Sequence, residues 1–260
     1  MKGVLLFAFN SPTVDYFRLA TYTAKRANKF LNLPVSVVTD NNTDITKYDY
    51  QFDKVIVIES DNTNVKSKQV WINKGRHRAY ELSPYDETLL IDVDYVINSD
   101  QLLKLFDIYD DFMCSKDVSY LLFDEAYTEL LSQKSYQTLW ATIIIFKKTK
   151  KVEYIFDLMR MIEINYSYYV KLHNILGYTF RNDYALTIAL RILNGQTEDV
   201  RNYIPWKLLH VNKETELHRT SDTSYIAVRT DSKDKKRYCI LNDTDFHCLS
   251  KQTFMELINE

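Results

Sequence analysis

A chain of 260 residues is long enough for one large domain, or one domain with a small appendage, and 46% hydrophobic with 26% charged residues is the composition of a packed globular protein. The formal net charge of -2 supplies no general electrostatic grip on nucleic acid, although it leaves room for a local basic groove. Three scattered cysteines, Cys114, Cys239 and Cys248, make no CxxC or Cys/His cluster, which argues against structural zinc and for a reducing, cytoplasmic setting.

The apolar run from Gly3 to Phe9 predicts a strand buried on both faces; Asn10 and Pro12 stop it too early for a membrane span, and no cleavage signal follows. Ser11-Pro12 predicts a helix start, and Phe17, Ala20, Ala24, Ala27 and Leu31 recur at helical spacing up to Leu33-Pro34. Val35 to Thr39 and Lys54 to Ile58 predict two more strands, so the chain opens as a parallel α/β sheet. A polar loop is expected over Ser60 to Lys68. A helix with a basic stripe of Lys74, Arg76 and Arg78 is expected from Trp71 to Leu82, and Ser83-Pro84-Tyr85-Asp86 is a turn. Thr88 to Ile91 is a strand that runs straight into Asp92. Further on, helical spacing covers 101–108, 152–164 and 183–193, and apolar strands are expected at 119–123, 142–146 and 206–211. Beyond Glu214 the pattern shifts to two short strands, 225–229 and 238–241, around the charged turn 231–236, then a helix at 250–258. These signals predict one α/β domain over 1–213 and a small β-hairpin-and-helix appendage over 214–260.

With four glycines in the chain, neither GxGxxG nor a P-loop sequence occurs, and dinucleotide-fold and P-loop phosphate binding lose their basis. The informative segment is Leu89-Leu90-Ile91-Asp92-Val93-Asp94-Tyr95-Val96: an apolar strand delivers two carboxylates at its C-terminal end, the edge where open α/β sheets bind ligands. Alternate residues of an extended segment share a face. Two adjacent carboxylates repel unless a cation lies between them, and hard oxygen ligands suit Mn²⁺ or Mg²⁺.

The run from Arg76 to Tyr95, with its Ser83-Pro84-Tyr85-Asp86 turn and its Asp92-Val93-Asp94 motif, resembles the core of GT-A fold glycosyltransferases, in particular the glycogenin-like group. The resemblance extends loosely from Gly3 to Val211. It implies a Rossmann-like mixed sheet flanked by helices, a nucleoside diphosphate sugar as donor, UDP-sugar first, and a hydroxyl acceptor. It implies further that Asp92 contacts the ribose and the metal, that Val93 lies against the donor and that Asp94 ligates the metal. His210 is the expected third metal ligand, with His218 as a rival. Arg76, Lys74 or Arg78 would neutralise the diphosphate. Asp183, in Arg181-Asn182-Asp183-Tyr184, would act as general base or contact the sugar, and as a helix N-cap it would need no function at all. Ala8, Phe9, Asn10 and Tyr16 would cradle the nucleotide base, and Thr142, in Trp140-Ala141-Thr142, would touch the donor sugar without the glycine that the family carries there.

The Asn-, Lys- and Tyr-rich composition is also similar to small bacteriophage glycosyltransferases, some of which modify hydroxymethylated bases in DNA. That likeness implies a host-cytoplasm location and makes modified DNA one acceptor to consider. A sugar-nucleotide nucleotidyltransferase of the same fold is disfavoured because Phe9-Asn10-Ser11-Pro12 is unlike its glycine-rich first loop. A non-catalytic nucleotide-sugar-binding protein is the remaining alternative.

Overall fold

Two apolar cores, one on each face of a single sheet, organise the chain. In the computed structural model the residues described are 1–59, 75–123, 128–133, 135–175, 179–230 and 234–259, with the backbone of 65–66 and 69–70. The loop 60–68 falls largely outside them, and Lys74 falls wholly outside.

In chain order, β1 (Lys2–Phe7) leads to α1 (Tyr16–Leu31), β2 (Val35–Asp40) and β3 (Lys54–Ile58). Two-residue strands β4 (Val65–Lys66) and β5 (Gln69–Val70) follow, then the one-turn α2 (Ala79–Leu82), β6 (Glu87–Ile91), β7 (Tyr95–Val96) and α3 (Leu105–Ile108). Next come β8 (Phe112–Ser115), β9 (Val118–Tyr120), β10 (Trp140–Lys147), α4 (Lys150–Ile164), α5 (Tyr166–Leu172) and α6 (Asn182–Leu193). The chain finishes with β11 (Leu208–Val211), β12 (Thr215–Arg219), β13 (Ser224–Thr230), β14 (Lys236–Asn242), β15 (Phe246–Cys248) and α7 (Lys251–Leu257).

The main sheet has the order β3-β2-β1-β6-β10-β8, with β10 antiparallel to both of its neighbours and the others parallel. This is the expected mixed α/β sheet flanked by helices. Side chains alternate between faces. Val4, Leu6, Leu89 and Ile91 join α1 in one core, and Leu5, Phe7, Leu90 and Ile144 join α4 and α6 in the other. From β1 the chain winds one way through β2 and β3, and β6 then lies on the other side of β1. The C-terminal ends of β1 and β6 therefore flank a topological switch point, where such sheets open a crevice.

A second sheet, β7-β15-β11-β9, gathers short strands from distant parts of the chain, and β12-β13-β14 forms a third. Strand β15 enters the second sheet between β7 and β11, so the last residues of the chain lie against the end of β6.

Several elements differ from expectation for local reasons. Helix α1 is capped by Asp15, whose carboxylate accepts the Arg18 amide at 3.0 Å, whereas Ser11 closes a turn by accepting the Val14 amide at 3.0 Å. The described part of the 71–82 helix is a 3-10 turn at Arg76–Arg78 and then α2, and it starts at Gly75 with φ +85°. The strand expected at 119–123 ends at Tyr120, where a turn places Leu122 at φ +63°.

Among the described residues, Gly3 is the one glycine that packing demands. A Cβ there would lie 2.4 Å from the ring of Tyr85, which is buried and held by Ser36 at 2.7 Å and Asp53 at 3.1 Å. The ring has no room to yield, so Gly3→Ala is expected to destabilise the fold by about 2–3 kcal/mol. Denaturant unfolding measures this; an unchanged midpoint would contradict the packing described.

Candidate functional site

Strand β6 ends at Ile91 and the chain turns at once. The Tyr95 amide donates to the Asp92 carbonyl at 3.1 Å, and the Asp92 amide donates to the Thr142 carbonyl at 3.0 Å. Thr23 on α1 pins the turn from below through its hydroxyl on the Val93 carbonyl, at 2.7 Å. The carboxylates of Asp92 and Asp94 thus converge through a tight turn, not through the extended alternation expected from the sequence.

A third ligand-type side chain meets them there. His247 on β15 pairs in register with Tyr95 on β7, and the Cys248 amide donates to the Asp94 carbonyl at 3.0 Å. This docking places His247 Nε2 3.2 Å from Asp94 Oδ2 and 3.9 Å from Asp92 Oδ2. One ligand atom from each of Asp92, Asp94 and His247 lies within 4.8 Å of the others. Burial pushes the His247 imidazole below its usual range, so it is neutral and has a lone pair to give. Two carboxylate oxygens and one imidazole form a hard-to-borderline donor set that fits Mn²⁺ or Mg²⁺.

The group that could hold a metal ion therefore contains His247 where His210 was expected. His210 lies one strand over, fully buried, with neither ring nitrogen hydrogen-bonded among the described residues. Its ring packs against Trp140, Tyr120 and His247 at centroid distances of 4.6, 5.2 and 5.0 Å. Burial and the neighbouring His247 push its pKa down to about 2. His218, the rival, is exposed and pairs with Glu216 at 3.7 Å.

Counter-charge comes from two sides. The Arg76 guanidinium, 2% exposed, ion-pairs with Asp92 and donates to the Ala141 carbonyl at 2.6 Å. It neutralises and orients Asp92 from behind and does not line the pocket. Arg78 points elsewhere and pairs with Glu81 at 3.1 Å. Of the cations that do face the pocket, Lys251, at the start of α7, has its ammonium ion-paired with Asp94, and Arg181 pairs with Asp183. Burial lowers the Lys251 pKa to about 8.

The carboxylates open into a cavity of about 350 Å³. Phe7, Phe9, Tyr16, Trp140 and Leu249 supply apolar walls, and Val93, Ala141, Thr142, Arg181, Asn182 and Asp183 complete them. Burial, and secondarily the Asp92 charge, raises the Tyr16 pKa and keeps its hydroxyl protonated. Asp183 lies in the first turn of α6 without capping it. One carboxylate oxygen accepts the Ala141 amide at 2.8 Å, and the other takes the Arg181 guanidinium at 3.1 Å. Arg181 also binds Glu129 at 2.5 Å and lies over the Trp140 ring. Ala8 and Asn10 stay outside the cavity lining: Ala8 is core, and Asn10 holds the start of α1 by accepting the Phe17 amide at 2.8 Å.

Compared by sequence, the chain matches no protein-family model and no curated protein. Among solved structures it is similar to the glycosyltransferase GlyE of Streptococcus pneumoniae TIGR4, with 13% identity and a TM-score of 0.43, over 78% of this chain and 44% of that one. The chain thus spans less than half the length of that protein.

If Asp94 and His247 share an ion, Asp94→Asn and His247→Ala should each weaken Mn²⁺ binding by about 100-fold or more, beyond the loss typical of an outer-shell partner. His218→Ala should leave it unchanged. Calorimetric titration with Mn²⁺ checks this, and equal affinities across the set would contradict the ligand assignment.

Proposed function

We propose that the chain is a metal-dependent glycosyltransferase that takes a nucleoside diphosphate sugar, UDP-sugar first, and passes the sugar to a hydroxyl acceptor. The observation that carries this reading is the convergence of Asp92, Asp94 and His247 on one wall of a cavity that Lys251 also faces. A site holding only a metal would need no extra cation, and a site holding only a sugar would need no buried acidic pair. Acidic ligands and a lysine together match a diphosphate bridged to a divalent ion.

Asp92, Asp94 and His247 would hold Mn²⁺ or Mg²⁺. Bound there, such a cation would offset the charge of the diphosphate and of the departing nucleoside diphosphate. Lys251 leaves Asp94 for a phosphate oxygen, which adds a second positive charge where the leaving group's charge grows. Phe9 and Tyr16, at the end of β1 and the start of α1, provide the flat apolar surface on which a base stacks. Asp183 and Arg181, fixed against Ala141, Glu129 and each other, offer an acceptor and a donor to sugar hydroxyls in the same cavity. With both carboxylate oxygens already engaged, Asp183 serves better as a positioned acceptor than as a free base. The acceptor in this reading carries a hydroxyl, and a hydroxymethylated base in DNA is one such group.

A thermal-shift panel of UDP-, GDP- and CMP-sugars with Mn²⁺ tests the donor. Ligand at ~100 times its Kd adds about 2.7 kcal/mol, hence several degrees for a chain of this size. The shift should appear with a UDP-sugar plus Mn²⁺, vanish with chelator, and shrink in Lys251→Ala, whose donor affinity should fall by about tenfold. Release of nucleoside diphosphate with and without Mn²⁺ then separates an enzyme from a binding protein. No shift with any donor in the presence of Mn²⁺ would overturn the reading.

A further inference from the structure

Behind the acidic turn, three buried ring nitrogens have no hydrogen-bond partner among the described residues: both of His210 and Nδ1 of His247. The two histidines face each other across one rung of the parallel pair β11 and β15. Their ring centres are 5.0 Å apart with planes at 78°, and the other rings around His210 are Trp140 and Tyr120. Packing alone would be served as well by leucine or phenylalanine, without two polar atoms left in an apolar wall. A neutral imidazole carries one donor and one acceptor, so two facing imidazoles can complete each other directly or through one water.

We infer that His210 is a positioning residue: its ring completes His247 Nδ1, directly or through one water, and so aims His247 Nε2 at Asp92 and Asp94. When Nε2 gives its lone pair to a metal ion, the His247 proton resides on Nδ1, and a His210 ring nitrogen accepts it. When Nε2 instead donates to Asp94, Nδ1 accepts from His210. The same pair of rings serves both states with no change in total protonation. The use made of Nε2 rests on the metal-dependent reading above; the hydrogen bond between the two rings does not. His210 is thus involved with the metal, though as a support for His247 and not as the ligand that the sequence suggested.

Two variants and two readouts test this on the full chain. Mn²⁺ affinity, measured by calorimetry without any donor, should fall by about 10–100-fold in His210→Leu. His210→Gln, which keeps an acceptor and a donor, should recover most of that loss. Metal-free thermal stability of His210→Leu should fall, because His247 Nδ1 is left buried without its partner, and His210→Gln should recover it. A merely structural histidine would lose stability in His210→Leu and keep its metal affinity. The second readout is the ¹⁵N resonance of His247 Nδ1, which should report a protonated nitrogen in the Mg²⁺-loaded parent and move in His210→Leu even without metal. Equal Mn²⁺ affinity of His210→Leu and the parent overturns the positioning role. Should the parent bind no Mn²⁺ at all, the metal-dependent reading fails by itself, and an Nδ1 resonance that moves in metal-free His210→Leu still supports the ring-to-ring bond. An Nδ1 resonance unchanged by His210→Leu overturns that bond outright.

Discussion

Two carboxylates forced together at the end of a buried strand are the constraint around which this site is arranged. At about 4 Å, like charges repel by roughly 4 kcal/mol even at an effective dielectric constant of 20. Asp94 is only 4% exposed, so water screens little of that repulsion. The chain answers with one cation per carboxylate, Arg76 on Asp92 and Lys251 on Asp94. These two cations are not equivalent. Arg76 is locked by a second bond to the Ala141 carbonyl and lies behind the turn, whereas Lys251 faces the cavity on a side chain that can move. The arrangement leaves one fixed neutraliser and one exchangeable one, as a site must have if a divalent ion and a phosphate are to enter together.

The fold explains why the site lies there. The switch point between β1 and β6 opens a crevice at their C-terminal ends, and Phe7, Phe9 and the acidic turn line it. Strand β10, antiparallel beside β6, brings Trp140, Ala141 and Thr142 to the same edge. The remaining wall is built from the far end of the chain. Residues 246–251 supply a histidine and a lysine only once β15 is paired between β7 and β11. The centre is therefore a long-range object, complete only when the last strand is in place.

This dependence also explains how much could be read from the sequence. The central strands, α1, α4 and α6 announced themselves through unbroken apolar runs or helical spacing, and the acidic pair stood out because it follows such a run directly. Strand β15 did not. Three residues, Phe246-His247-Cys248, are too short to show periodicity, and nothing local marks His247 as a partner of residues near position 92. His210, by contrast, ends a clear strand and looked the better candidate. Register places it in the same rung as His247 but on the buried side of the centre. Arg76 was expected to serve the diphosphate, and the fold places its guanidinium on Asp92 and the Ala141 carbonyl, since from sequence its charge could be directed to either. Only packing decides between these.

The most direct test is an anomalous difference map from a crystal of the chain soaked in Mn²⁺. The account predicts one dominant peak within coordination distance of Asp92, Asp94 and His247 together, with Lys251 displaced from Asp94. A peak bound by His210 or by surface carboxylates alone, or none in this corner, would contradict it.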